Sequence, residues 1–135
     1  MAEYRFYSSS IPGKQVIALK KCNGVTLNGR PVLIKEKLSG GEDLVIQIPI
    51  NTTQNFLPEQ IPLSIIYEDP DLIIIDKPAG LLVHPVRYHQ SGTLANALAY
   101  HWQVTGKVAS FHPVHRLDKL TSGLLLVAKS SWAHQ

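Results

Sequence analysis

A single cysteine, Cys22, stands in 135 residues, so no internal disulfide can form and a reducing compartment suits the chain. Cys22 itself reads as a small buried hydrophobe near a helix end rather than as a reactive thiol. Long apolar runs are missing too. The longest is far too short to span a membrane, and Met1-Ala2-Glu3-Tyr4 leads into no secretory hydrophobic segment. A cytoplasmic protein, off the membrane, is the expectation. Metal-ligand spacing is also lacking, although six histidines are present. His84, His89, His101, His112, His115 and His134 all fall in the second half of the chain. His112-x-x-His115 spans a proline and lacks the glutamate of a His-Glu-x-x-His helix, so no metal site is expected. Excess charge is small: 13 Lys and Arg oppose 10 Asp and Glu, for a net +3. With 44% hydrophobic and 17% charged residues, the composition is that of a folded protein and excludes a disordered one.

The charge that is present is unevenly placed. Seven basic residues (Arg5, Lys14, Lys20, Lys21, Arg30, Lys35, Lys37) precede Pro58 against four acidic ones, whereas the remainder carries six of each. The whole surplus therefore lies in the N-terminal part. Contact with phosphates and plain solubilising surface both fit such a surplus. A chain of this length holds one ordinary domain, or a small module and part of a larger one.

Two regions emerge. In the first, the pattern predicts a helix over Ile11 to Asn23, after the Pro12-Gly13 start signal. Two short strands around an Asn28-Gly29 hairpin turn follow, Val25 to Leu27 and Pro31 to Leu33, and then a third strand from Leu44 to Ile48. Pro49 to Pro62, polar and carrying three prolines, reads as a linker. The second region opens on a strand, Leu63 to Glu68, ended by Asp69-Pro70-Asp71. Leu72 to Asp76 is a second strand, and Lys77-Pro78-Ala79-Gly80 forces a turn. Leu81 to Pro85 resumes extended structure. Ser91-Gly92-Thr93 starts a helix with Leu94, Ala97, Leu98 and Trp102 at helical spacing, Trp102 being read as core packing. Thr105 to His112 is expected to be a loop.

The most informative stretch runs from His115-Arg116-Leu117-Asp118 through Lys119-Leu120 and Thr121-Ser122-Gly123 to the apolar Leu124-Leu125-Leu126-Val127-Ala128. The apolar segment reads as a buried strand, although its pattern also admits a short helix. If His115 to Asp118 is extended, Arg116 and Asp118 project from one face. A guanidinium beside Asp118 would favour the ionised carboxylate that a nucleophile requires. A surface ion pair of little energetic weight is the plainer reading of the same two residues. An aspartic-protease reading is weak, because Lys119 and Leu120 separate Asp118 from the small turn residues and no second copy exists to complete a dyad.

This stretch resembles the signature of the RluA-type pseudouridine synthases: His-Arg-Leu-Asp, two variable residues, then Thr-Ser-Gly-Leu-Leu-Leu. Asp69 to Pro85, with its strand feeding Lys77-Pro78-Ala79-Gly80, is similar to the family's upstream motif, and so is Gly92-Thr93-Leu94. The resemblance covers about Ile61 to the end. Ahead of it, a helix, then Gly24-Val25-Thr26-Leu27-Asn28-Gly29, then Gly41-Glu42-Asp43 before a strand, resembles the latter half of the alpha-L RNA-binding domain. That domain's first helix has no clear match in Tyr4 to Ser10. The implied architecture is α+β: a partial alpha-L-like RNA-binding module over 1–57, followed by the first part of a mixed-sheet catalytic domain over 61–135.

The resemblance implies an RNA isomerase that converts uridine to pseudouridine in ribosomal or transfer RNA, with no cofactor, because the reaction conserves all atoms. It places the catalytic role, as nucleophile or base, on Asp118, with Arg116 in support. Candidate RNA contacts are Lys20, Lys21, Arg30, Lys77, His84 and His115, with a solvated turn position as the alternative for Lys77. The family's base-stacking tyrosine follows the aspartate by more residues than remain here. The chain is therefore expected to be the N-terminal portion of a synthase that is a monomer at full length, with unpaired strand edges and no activity alone. A non-catalytic RNA-binding remnant and a structural remnant without ligand stand as alternatives.

Overall fold

Asn28 and Gly29 adopt φ of 49° and 80°, the pair of positive values that a two-residue hairpin demands and that Asn-Gly supplies with least strain. They join Val25–Leu27 to Arg30–Pro31; the turn and the first strand fall where the sequence predicts, while the second strand begins one residue before the expected Pro31 and does not include Val32. The computed structural model describes residues 2–3, 25–32, 40–48 and 56–135. The chain divides into two units, Met1–Pro49 and Ile50–Gln135.

In the first unit, strands β1 (Ala2–Glu3), β2 (Val25–Leu27), β3 (Arg30–Pro31) and β4 (Leu44–Ile48) form an antiparallel sheet in the order β1-β4-β2-β3. The pairing of Ala2 with Ile48 adds a strand that the sequence pattern did not announce. Asn28 closes the hairpin onto the start of β4. Its N–H donates to the Asp43 carbonyl at 2.8 Å, and its side-chain oxygen accepts from the Asp43 N–H at 2.9 Å. Leu27 and Ile46 are buried on this sheet. The expected helix over Ile11 to Asn23, and with it Cys22, Lys20 and Lys21, lies outside the described residues, as do Leu33 and the linker positions 49–55.

The second unit holds β5 (Ser64–Glu68), β6 (Leu72–Lys77), helix α1 (Leu94–Val104), β7 (His112–Pro113) and β8 (Gly123–Ala128). Sheet order is β5-β6-β8-β7, and every strand pair is antiparallel. The parallel element of the expected mixed sheet is limited, among the described residues, to an isolated bridge between Leu82 and Thr93. Alternation along β6 and β8 sends Ile73, Ile75, Leu125 and Val127 to one face. There they pack with Leu94, Leu98, Trp102 and Phe111 as the core. Leu124, from the other parity, is 60% exposed. Antiparallel strands with a helix packed on one face make an α+β arrangement.

Thr93 caps α1. Its side chain accepts from the Asn96 N–H, and the Asn96 side chain accepts from the Thr93 N–H at 3.1 Å, a reciprocal box that satisfies two otherwise orphaned donors. The same Asn96 donates through Nδ2 to the Leu57 carbonyl at 2.9 Å. Both carboxylate oxygens of Glu59 accept from the Gly92 N–H at 3.0 Å. Phe56 sits edge-on to Phe111 at 5.7 Å. These contacts correct the linker reading for residues 56–62. The prolines keep this stretch out of regular structure, but the helix start needs acceptors and the stretch supplies them.

Candidate active site

Pro113 is the last residue of β7, paired with Val127. One residue on, the Val114 N–H still donates to the Leu126 carbonyl at 3.0 Å. The next ladder position is taken by a side chain: Nε2 of His115 accepts from the Leu126 N–H at 3.2 Å, which requires the imidazole tautomer protonated on Nδ1. With the ladder acceptor replaced by a ring, the backbone leaves the sheet. Residues 116–118 carry no strand structure and Lys119-Leu120 form a turn. The expected extended run from His115 to Asp118 is therefore an irregular loop. The turn closes through the Thr121 N–H, which donates to the Asp118 carbonyl at 3.1 Å.

Arg116 and Asp118 nevertheless face a common space. A cavity of about 400 Å³ is lined on one side by Leu82 to Val86 and on the other by Pro113 and Arg116 to Lys119. Both side chains are exposed, and no ion pair joins them among the described residues. The expected charge partnership is thus absent. The carboxylate is left open to the cavity, with the guanidinium on the same wall and free to meet a ligand.

Lys77 is placed differently from either sequence expectation. It is neither solvated nor available to phosphate: its side chain is fully buried. Position 77 shares its parity with Ile73 and Ile75, so β6 delivers the ammonium to the core face. Nζ donates to the carbonyls of Pro78 and Leu81, each at 2.9 Å, and of Lys119 at 3.3 Å. Burial lowers its pKa from the ordinary lysine value. The Gly80 N–H adds a bond of 2.7 Å to the same Lys119 carbonyl, and Gly80 reaches it with a φ of 91°, a conformation open to glycine. Lys77 thereby ties the Pro78–Leu81 turn to the carbonyl of Lys119, the residue after Asp118. Its sequence signal was visible only as a turn lysine.

His84 stands in the cavity wall, with Nδ1 3.1 Å from the Pro85 carbonyl and its ring edge-on to Phe56 at 5.2 Å. His115 does not line the cavity; its ring is committed to the sheet edge. Arg30, the remaining candidate RNA contact among the described residues, is exposed on β3 of the first unit. No cluster of three or more potential metal-ligating side chains occurs among the described residues. Likewise no helix among them is long and apolar enough to cross a membrane.

The sequence of this chain is similar to known proteins. Residues 71–135 match the family model described as RNA pseudouridylate synthase. Ribosomal large subunit pseudouridine synthase D of Pasteurella multocida is 43% identical over 109 residues, covering 80% of this chain and 34% of that protein. The protein of the same name from Haemophilus influenzae is 46% identical over 107 residues, 78% of this chain and 33% of its own length. For Buchnera aphidicola, a protein again so named is 40% identical over 131 residues, 97% of this chain and 41% of its own. The chain spans roughly a third of the length of the curated relatives it matches.

Proposed function

We propose that this chain, whose residues 71–135 belong to the RNA pseudouridylate synthase family, carries the acting carboxylate of an enzyme that isomerises uridine to pseudouridine in large-subunit ribosomal RNA. Asp118 is that carboxylate. The observation that carries the reading is its setting: the side chain lines a cavity of about 400 Å³, beside Arg116 and without an ion-pair partner among the described residues. Asp118 lies in the loop between β7 and β8, where the Thr121 N–H donates to its carbonyl. It is held by its backbone and left free at its carboxyl.

The reaction breaks the bond from ribose C1′ to uracil N1 and forms one from C1′ to C5. The proton leaves C5 and N1 gains one, so atoms and electrons balance with no external reactant. Asp118 serves as nucleophile or base toward the nucleoside. Arg116, on the same wall, contacts RNA through its planar fork. Lys77 and His115 act at one remove, fixing the two ends of the loop that bears Asp118. A target base must leave its stack to reach the cavity, which takes a few kcal/mol.

Ribosomal RNA is preferred over transfer RNA because the relatives' names specify the ribosomal large subunit. The surplus basic charge of the first unit supplies phosphate contact, and a cytoplasmic monomer fits the same reading. The test is Asp118→Asn in the protein as its gene encodes it, assayed on unmodified ribosomal RNA by chemical mapping of pseudouridine. Loss of at least 100-fold in turnover, with RNA affinity nearly intact, is expected, because the amide keeps the shape but cannot act as nucleophile or base. Residual turnover above about 1% of wild type would remove Asp118 from the chemistry.

A further inference from the structure

Between the cavity wall and helix α1 the chain makes a small excursion that the core does not require. Val86 and His89 face each other across a two-residue turn, with the Val86 N–H donating to the His89 carbonyl at 3.0 Å and the His89 N–H returning a bond of 2.8 Å. The Gln90 side chain fastens the base of the turn, donating to the Val86 carbonyl at 2.9 Å. Arg87 and Tyr88 occupy the tip.

Those two residue types are not what the backbone asks for. Two-residue hairpin loops favour Asn and Gly because positive φ is commonly needed there, as at Asn28-Gly29. Neither Arg87 nor Tyr88 has a positive φ, so no steric rule selects them. Packing does not select them either: Tyr88 is 82% exposed, the most exposed of the large hydrophobic and aromatic side chains described. Arg87 has no carboxylate partner among the described residues, and its guanidinium lies 5.6 Å from the centroid of the Tyr88 ring. A guanidinium on one face of an exposed ring holds that ring in place and leaves surface for a second flat group. The base of the turn is itself part of the cavity, since His84, Pro85 and Val86 line it opposite Asp118.

We propose that the Val86–His89 hairpin is a nucleotide-binding tip of the same site: Tyr88 stacks on an unpaired base adjoining the one presented to Asp118, and Arg87 holds a backbone phosphate of that strand. Aromatic side chains with neighbouring cations are the recurring means of gripping single-stranded nucleic acid, because every base offers a π-face. The tip captures the unstacked neighbour that extrusion of a target base leaves behind, and so offsets part of the unstacking penalty. The inference rests on the pseudouridine synthase reading for the identity of the target, and on the hairpin alone for the contact.

Two probes separate the contributions: an RNA stem–loop with an unpaired, uridine-containing loop, and a fully paired duplex of matching length. Binding of the protein as its gene encodes it is followed by fluorescence anisotropy across a salt series, with pseudouridine formation on unmodified ribosomal RNA measured in parallel. Tyr88→Ala is expected to weaken stem–loop binding about 10-fold or more and to leave duplex binding within about twofold, while Tyr88→Phe retains wild-type affinity. Arg87→Ala is expected to lower the salt slope by about one. Stem–loop affinity unchanged in Tyr88→Ala, or an equal loss on both probes, overturns the stacking role. A wild-type protein that binds neither RNA overturns the tip and the functional reading together. Tyr88-dependent binding without pseudouridine formation supports the tip and sinks only the catalytic reading. Since Tyr88 is exposed and outside the core, its substitution is not expected to unfold the protein, which thermal melting of each variant checks.

Discussion

The two ends of the β6–β8 ladder are each closed by a buried lysine, one satisfied by a carboxylate together with the Asp69 carbonyl and the other by carbonyls alone. At the end where Leu72 pairs with Ala128, Lys129 is 5% exposed and its ammonium meets the Glu68 carboxylate at 2.6 Å. His101 and Lys107 reach the same carboxylate, each at 2.9 Å. At the end where Lys77 pairs with Gly123, the Lys77 ammonium meets only carbonyl oxygens. A carboxylate is close in sequence there too, but Asp118 takes no part in the cluster: its neighbour Lys119 supplies the carbonyl, and Asp118 lines the cavity. One end spends its carboxylate on structure. The other stabilises a cation with peptide dipoles and keeps its carboxylate uncommitted, which is what a reacting group needs.

The sharpest way to break that contrast is at Glu68. Glu68→Gln leaves Lys129 buried without its counter-ion, and loss of one partner of a buried pair costs about 3 kcal/mol. Lys107, with a side chain 43% exposed, contributes little to that figure. Denaturant unfolding should show the loss, while pseudouridine formation at saturating RNA stays within about threefold of wild type. A fall in turnover as large as that of Asp118→Asn would show that the two ends are not separable. The same group sets an acid limit. Burial raises the Glu68 pKa, but the hydrogen bonds from Lys107, Lys129 and His101 outweigh it and bring the value to about 2, from 4.5. A carboxyl that binds its proton less readily when folded adds stability above pH 4.5, and this is lost as pH falls through about 2. Stability of the wild type should therefore fall across that window, and the fall should be shallower in Glu68→Gln.

At the other end the probe is Lys77→Met, which keeps an unbranched stem of similar length and removes the ammonium. Three carbonyl oxygens then lose a buried donor, at a cost of about 2 kcal/mol. The loop bearing Asp118 loses its tie to the Pro78–Leu81 turn as well. Turnover should fall with the Michaelis constant little changed, the signature of a positioning residue. Equal stability in Lys77→Met and wild type would show that the carbonyl cluster does not need its cation.

How much of this could be read in the sequence depended on whether the signal was local. Asn28-Gly29, the Thr93 cap and the apolar runs of β6 and β8 announce themselves through turn chemistry and periodicity, and each is found where expected. Lys77 is the opposite case. Its composition says surface, and only the parity of β6, together with three carbonyls brought in from two loops, makes it core. Residues 56–62 were likewise misread, because their hydrogen-bond partners Gly92 and Asn96 are more than thirty positions away. Asp118 and Arg116 were singled out through a motif, yet the motif did not reveal that no ion pair joins them among the described residues. Glu68 carried no signal at all, since its three partners, His101, Lys107 and Lys129, come from α1, the loop after it and the residue after β8.

The smallest effect concerns the residue that peels the Asp118 loop away from the sheet. His115 lends its ring where a backbone carbonyl would continue the ladder, so His115→Ala leaves the Leu126 N–H without that acceptor. Because His115 is exposed, water reaches the vacated position and the stability cost is only about 1 kcal/mol. The functional cost should be proportionately larger. With no ring to hold it off, the segment after Val114 can slide toward further pairing with β8, and Arg116 and Asp118 would then turn away from the Leu82–Val86 wall. His115→Gln restores an acceptor at similar reach and should recover part of the turnover, whereas a residue that served only to solvate the rim would show no such rescue. Measuring turnover and unfolding in the two variants side by side decides between them. Equal activity in His115→Ala and His115→Gln would mean that the loop holds its shape without the imidazole, and that the Lys77 cluster alone positions Asp118.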